Sequence, residues 1–325
     1  MCAGFSAKEA KAAGNKRKWL RAGEGEWPLD KVGSAGKAAR MVIEQAPLED
    51  ELGDVLEKAM RLAGLSADAL AARAGVEAER IHDALDYRYD ELRPEAIERL
   101  AVALGLTAAG LRAHVAGAYP LPVVAGLPFC LHPLRSPHGL GTANAYLVTD
   151  CRGGEGVLFD TGPDPARLRR MWPAGVNRLA AVFITHAETE HVGALPEVRR
   201  LFTPASVFAP AGAGLAGATG LADGARIECG GYVVETLATP GHAEAHNAYL
   251  VRAARAPHAA PLLVAGDLLF AGSIGGGYFC ARRQAEQVRR VLRDLPPTTV
   301  VAPGHGPLTT LAHERAHNPF ASLAE

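Results

Sequence analysis

Thr185-His186-Ala187-Glu188-Thr189-Glu190-His191 is the stretch on which the reading of this chain turns. The apolar run Ala180–Thr185 leads into it with the length and side chains of a buried strand, and Gly193 and a helical pattern follow. Four side chains able to hold a cation, His186, Glu188, Glu190 and His191, fall within six positions of a strand-to-helix turn. Such a turn can wrap them round one point. The competing reading is a polar surface loop.

Three later pieces favour the cation. Thr239-Pro240-Gly241-His242 follows a β-rich run, Asp267 closes the run that begins at Pro261, and Pro303-Gly304-His305-Gly306 follows Thr298–Ala302. Each places one His or Asp at the carboxyl end of a predicted strand, where ligands gather in open α/β sheets. In order behind the first cluster they predict a metal site. His246, four residues after His242, reads either as a donor or substrate contact beside the site or as an exposed or capping His. His313 and His317 read as surface residues, and His132 and His138 have no evident partner.

Around these motifs the texture is layered. Strands are predicted at 129–134, 143–149, 156–160, 180–185, 206–209, 225–238, 247–252, 261–266 and 298–302, with helices at 165–172, 193–202 and 282–294. Interleaving of this kind predicts an α/β domain over 129–325. The pentapeptide Asn144–Val148 recurs as Asn247–Val251, and each copy precedes a second strand ending in Asp, at Asp160 and Asp267. The echo suggests two related half-domains.

The upstream chain divides differently. Residues 1–48 hold nine basic and five acidic side chains and predict a basic, partly flexible arm. Residues 49–115 are helical in pattern. Leu52, Val55, Leu56, Ala59 and Ala63 share one face, Ser66 suits an N-cap, Gly75 and Gly105 suit helix ends, Pro94 suits a first turn, and Thr107 suits another cap. Residues 116–128, with Pro120, Pro122 and Pro128, read as a linker. The stretch Leu65–Leu106 resembles a phage-repressor-like helix-turn-helix, through Ala71, Ala72, Gly75, Val76, Ile81 and Leu100. Its third helical segment, Glu77–Glu91, carries six acidic and two basic residues, a net −4 that would repel phosphates. That argues against DNA as a partner and for docking, with a homo-oligomer through the helical domain as one form.

Composition sets the outer bounds. The 325 residues carry a formal charge of −1, with 48% hydrophobic and 21% charged side chains, which excludes a strongly basic nucleic-acid coat and a mostly disordered chain. The chain shows no bilayer-length apolar run and no apolar core of a secretory signal, so the expected place is the cytoplasm and no membrane partner is expected. The five cysteines are widely spaced without a Cys-x-x-Cys pair, which predicts reduced thiols and leaves a metal to histidine and carboxylate.

In combination these motifs resemble the metallo-β-lactamase superfamily, whose usual pattern is His-x-His-x-Asp-His followed by His, Asp and His. The matching residues are His186, Glu190, His191, His242, Asp267 and His305, with Asp160 as the strand-end residue beneath the site. The resemblance covers about residues 125–325 and implies an αββα sandwich preceded by a small all-α domain. The segments 265–275 and 303–320 look most like glyoxalase II and related thioester hydrolases. Glu188, in place of the second His, is similar to the di-iron centre of flavodiiron proteins. Carried over, one metal takes His186, Glu188 and His242, the other takes Glu190, His191 and His305, and Asp267 bridges them.

Three carboxylates against two divalent ions leave a local charge of +1, which one hydroxide cancels. Such an oxygen-rich set favours Fe or Mn, with Zn still accommodated. The expected activity is metal-dependent hydrolysis of a small thioester or ester by a hydroxide at the dinuclear site, with Glu190 and Asp267 as the catalytic carboxylates. The alternatives are a di-iron oxygen-binding or redox protein and a DNA-binding metal or ligand sensor. Gly272, Gly275, Gly276 and Gly277 read either as a place where substrate approaches the backbone closely or as a flexible turn, and Tyr278 is a candidate substrate contact. Glyoxalase II relatives hold glutathione partly through a basic residue at about this point, whereas here the first cations are Arg282 and Arg283.

Overall fold

The short apolar runs pair into two six-stranded sheets laid face to face. The computed structural model describes residues 46–324 apart from 90, 140, 203 and 204, so most of the basic arm predicted at 1–48 lies outside the described residues.

Five helices come first: α1 (Leu52–Ala63), α2 (Ala67–Ala74), α3 (Ala78–Leu85), α4 (Pro94–Leu104) and α5 (Ala108–Val115). Their ends follow local chemistry. The Ser66 hydroxyl accepts from the Ala69 N–H, a cap worth about 1 kcal/mol. Gly75 and Gly105 close α2 and α4 at φ of 63° and 67°. Thr107 departs from its predicted role, because its hydroxyl donates to the Asn318 carbonyl and ties α5 to the chain's last segment instead of capping.

The first sheet uses β1 (Cys130–His138), β2 (Gly141–Thr149), β3 (Gly154–Phe159), β4 (Val176–Phe183), β5 (Ser206–Pro210) and β6 (Thr219–Leu221), paired in that order. The connections carry α6 (Pro165–Met171), α7 (Thr189–Val192) and α8 (Leu195–Leu201). The second sheet has the order β14-β13-β10-β9-β8-β7. Its strands are β7 (Arg226–Cys229), β8 (Tyr232–Ala238), β9 (Asn247–Ala253), β10 (Leu262–Gly266), β13 (Val300–Pro303) and β14 (Thr309–Thr310). Between β10 and β13 lie the small pair β11 (Leu269–Phe270) and β12 (Ser273–Ile274), then α9 (Ala281–Asp294); α10 (Leu311–His317) and a 3-10 turn (Pro319–Ala324) end the chain.

Three apolar layers hold this together. Tyr146, Phe159, Phe183, Tyr249 and Val264 are among the residues filling the space between the sheets. Leu168, Leu195 and Val198 of α6 and α8 cover the outer face of the first sheet. The outer face of the second sheet, with Leu250, Leu263 and Val301, shares one continuous core with α9 and α1–α5, through Val288, Leu292, Val55, Leu56 and Leu100. The architecture is an αββα sandwich with the N-terminal helices packed on its second helical layer.

Two local expectations are corrected. The single strand expected over 225–238 is a hairpin, because Gly230 and Gly231 take φ of 55° and 84° and turn β7 back into β8. The expectation of reduced thiols also fails. The β1–β2 register places Cys130 opposite Thr149, which brings Cys151 within 5.0 Å Cα to Cα, and the two form a disulfide. Cys280 is disulfide-bonded as well, whereas Cys229 is free and half-buried.

Candidate metal centre

The sheet topology gathers the chemistry at one end of the sandwich. Asp160 follows β3, His186 follows β4, His242 follows β8, Asp267 follows β10 and His305 follows β13. Each pair of strands named within a sheet runs parallel, so these residues emerge at the same strand ends. Ligand atoms of His186, His242 and Asp267 lie within 4.8 Å of one another, and so do those of Glu190, His191 and His305.

Asp267 touches both groups. One oxygen lies 3.6 Å from His191 Nε2, and the other lies 3.6 Å from His242 Nε2 and 3.4 Å from His305 Nε2. Glu188 sits at the rim, with its oxygens 3.3 Å from His242 Nε2 and 3.9 Å from His186 Nε2.

The histidines are turned by their far nitrogens. His186 Nδ1 meets the Thr185 hydroxyl at 3.0 Å, His191 Nδ1 meets Asp160 at 3.0 Å, His242 Nδ1 meets the Gly276 carbonyl at 3.0 Å, and His305 Nδ1 meets the Thr142 carbonyl at 2.9 Å. These partners assign the proton to Nδ1 and aim each Nε2 lone pair at the common space. Buried His186 Nε2, His191 Nε2, His242 Nε2 and Asp267 Oδ1 have no hydrogen-bond partner. Three of these orphaned ligand atoms belong to the group of His186, His242 and Asp267 and one to the group of Glu190, His191 and His305, an arrangement that fits bound cations, since buried polar atoms otherwise find partners. The mixed imidazole and carboxylate set suits first-row divalent ions.

Electrostatics agree with a tightly coupled cluster. Burial alone would raise the Asp267 carboxyl, but His305 and His242 outweigh it and hold it well below the ordinary range. Burial lowers His305, yet Asp267 and Glu49 push it up to about 10. Burial, then the neighbouring His191, drives His186 well below its ordinary value.

The predicted outer residues take definite places. Asp160 is held at φ 54°, a strained position for a non-glycine residue, and accepts from Thr185 N at 2.7 Å, Thr185 Oγ1 at 2.8 Å and His191. It thereby fixes the loop that carries the first cluster. His246 is 2% exposed, so the reading of it as an exposed residue fails. Its Nε2 accepts from the Asp267 N–H at 3.1 Å, and burial pushes its pKa down to about 3, so it stays neutral. Tyr278 stands at the mouth with its ring 5.4 Å from that of His242.

The glycines serve packing. A Cβ on Gly275 would lie 1.7 Å from the Asp267 carbonyl, and one on Gly304 would lie 2.1 Å from Asp267 Oδ1. Gly304 therefore leaves room for the Asp267 carboxylate.

Sequence reasoning missed several participants. Gln284 of α9 accepts from His242 N at 2.9 Å and donates to the Asp267 carbonyl at 2.9 Å. His138 Nε2 lies 3.6 Å from Glu190. Glu49, Lys58 and Arg61 line the cavity from the N-terminal side. Only their positions in the fold reveal them.

An αββα sandwich with a histidine and carboxylate cluster at its strand ends defines a metallo-hydrolase class of protein. The family model of the metallo-beta-lactamase superfamily matches residues 138–305, and the chain belongs to that superfamily. It is 31% identical over 211 residues to the probable metallo-hydrolase YqgX of Bacillus subtilis (strain 168), covering 57% of this chain and 95% of that protein. It is 32% identical over 126 residues to a hydroxyacylglutathione hydrolase of Salmonella arizonae, covering 38% of this chain and 47% of that protein. The BLEG-1 B3 metallo-beta-lactamase crystal structure matches with a TM-score of 0.48 and 30% identity, over 59% of this chain and 99% of that one. No helix among the described residues is long and apolar enough to cross a membrane.

Proposed function

We propose that this protein is a dinuclear metal-dependent hydrolase of a small thioester or ester. His186, Glu188 and His242 would hold one ion and Glu190, His191 and His305 the other, with the Asp267 carboxylate lying between the two groups. The observation that carries this reading is the convergence of buried, partnerless His186 Nε2, His191 Nε2, His242 Nε2 and Asp267 Oδ1. Iron or manganese is favoured over zinc because Glu188, Glu190 and Asp267 supply three carboxylates.

Two bound ions supply an activated water at neutral pH and a polarised substrate carbonyl. The protein's own groups supply the rest. Glu190 and Asp267 line the cavity and would take the proton from the attacking water. Asp160, Thr142 and the Gly276 carbonyl keep the histidines oriented throughout. Attack by water makes a side-chain nucleophile unnecessary. Thioester chemistry is supported by the partial likeness to a hydroxyacylglutathione hydrolase.

The test is turnover of a thioester panel, S-lactoylglutathione included, by fully metallated protein. Hydrolysis that a chelator abolishes and added metal restores supports the reading. A fully loaded protein that hydrolyses no thioester or ester contradicts it.

One observation favours a second reading, a di-iron oxygen-binding or redox protein: the Glu188 carboxylate lies 3.3 Å from His242 Nε2, where it replaces a histidine. Oxygen consumption by iron-loaded protein with a reductant, without hydrolysis, would support that reading instead. DNA binding is disfavoured, because Arg80 is paired with Asp83 and Glu91, and Arg88 with Asp83 and Asp86.

A further inference from the structure

The cavity before the metal cluster measures about 260 Å³, and α1 with the residues just before it forms one wall. This is small for a complete ligand site, so a short substrate fits it. Lys58 and Arg61 lie on that wall three residues apart and so share a helix face.

Two aromatic rings connect these cations to the cluster. Lys58 Nζ is 4.9 Å from the centre of the Phe270 ring, which is 5.7 Å from the His305 ring. The Arg61 guanidinium is 5.1 Å from the Tyr278 ring, which is 5.4 Å from the His242 ring. Each cation therefore stands one ring away from a histidine of the proposed metal centre.

The acidic residues on the same wall have neighbours of their own, Glu49 lying 3.9 Å from His305 Nδ1. Asp50 pairs with Lys58, Glu57 accepts from Arg61 at 2.8 Å, and Asp54 accepts from Glu51 N at 2.9 Å and the Tyr87 hydroxyl at 2.6 Å. An ammonium has three N–H donors and a guanidinium five. Hydrogen bonds among the described residues use one of each, which leaves donors at the cavity wall. Arg282 and Arg283 do not line this cavity. Arg282 is 73% exposed and paired with Glu286, and Arg283 lies over Phe279.

We propose that α1 is the substrate-recognition wall of the site, and that Lys58 and Arg61 receive a carboxylate carried by the substrate remote from its scissile carbonyl. The substrate class is then a short thioester or ester with one anionic end. The acidic neighbours on the wall favour a singly charged group over a dianionic phosphate. This inference rests on the hydrolase reading for the word substrate, but its binding test does not.

The test is calorimetric binding of succinate and of butyrate to the metal-loaded full chain. Either acid can meet the metals, and only succinate has a second carboxylate for α1. Wild type should bind succinate about tenfold more tightly, the scale of one charge-assisted contact. Arg61→Met should reduce this preference. The pair Lys58→Met with Asp50→Asn, which leaves no buried charge alone, should also reduce it. Equal affinities in wild type, or a preference untouched by both variants, overturns the proposal. Turnover of succinyl and butyryl thioesters of N-acetylcysteamine separates the two readings. A succinate preference without hydrolysis of either overturns the hydrolase and keeps the subsite. Hydrolysis of both without any binding preference does the reverse.

Discussion

The Tyr146 hydroxyl donates to the Pro303 carbonyl across the sandwich at 2.7 Å, two residues before His305. Its repeat counterpart Tyr249 donates to Ile184 at 2.6 Å, two residues before His186. The backbone N–H groups follow the same rule: Asn144 N reaches the Gly304 carbonyl at 2.8 Å, and Asn247 N reaches the Thr185 carbonyl at 2.9 Å. Each copy of the repeated pentapeptide thus braces a ligand-bearing strand end in the opposite half. The echo in the sequence corresponds to a reciprocal support for the proposed metal site.

Removing one brace should loosen the ion it supports. Tyr249→Phe and Tyr146→Phe should each weaken metal binding by about tenfold, as groups behind metal ligands commonly do. Tyr146→Phe should be the milder, because Asn144 Nδ2 also donates to Pro303 at 3.0 Å. Competition with a calibrated chelator measures both. Unchanged affinity in both variants would reduce the brace to ordinary core packing.

Asp160→Asn should impair the site without emptying it. The carboxylate accepts from three donors, and an amide would turn its own N–H groups toward at least one of them. Occupancy of the group formed by Glu190, His191 and His305 should drop first, with affinity down about 10–100-fold. Metal counting at graded chelator concentrations reads this loss, and equal loss from both groups would be the wrong result.

The proposed place of Glu188 at the metal centre makes a prediction about metal choice. Glu188→His replaces a carboxylate with imidazole beside His242, so the zinc share of the bound metal should rise relative to iron and manganese. Elemental analysis of both proteins from parallel cultures checks the shift. An unchanged ratio would show that Glu188 does not govern selection.

Glu314 gives a pH dependence away from the metals. It is fully buried and accepts from the Thr309 hydroxyl at 2.6 Å, Asn318 Nδ2 at 2.7 Å and Gly272 N at 3.0 Å. Burial outweighs these donors and raises its pKa from 4.5 to about 6. A raised carboxyl means the folded state holds the proton more tightly than the unfolded chain does. Its stabilising effect is therefore full below pH 4.5 and is lost as pH rises through about 6. Across that window, stability relative to Glu314→Gln should fall by about 2 kcal/mol. Urea unfolding of both proteins at several pH values measures it, and a wild type that gains stability relative to Glu314→Gln as pH rises would have the wrong sign.

Much of this molecule was legible because its signals are local. A layered α/β domain could be read from apolar runs such as Ala180–Thr185, the sandwich itself came with the family resemblance, and the candidate site was suggested by single histidines placed at strand ends. The caps at Ser66, Gly75 and Gly105 were legible for the same reason. What escaped depends on packing between distant segments. Lys58 and Arg61 sit on an ordinary amphipathic helix until the fold places them over the cavity. Gln284 looks like any helix glutamine until His242 and Asp267 meet it. The disulfide needed the hairpin register that sets Cys151 beside Cys130, and the strand expected over 225–238 needed the conformation of Gly230 and Gly231.

Metal stoichiometry, determined by elemental analysis of the full chain purified without added metal, tests the central claim most directly. The account predicts about two first-row ions per chain, with iron and manganese together exceeding zinc, and about one or fewer in His186→Ala and in His305→Ala. A wild-type protein that takes up no stoichiometric metal even after anaerobic reconstitution, or variants that hold as much as wild type, would contradict it.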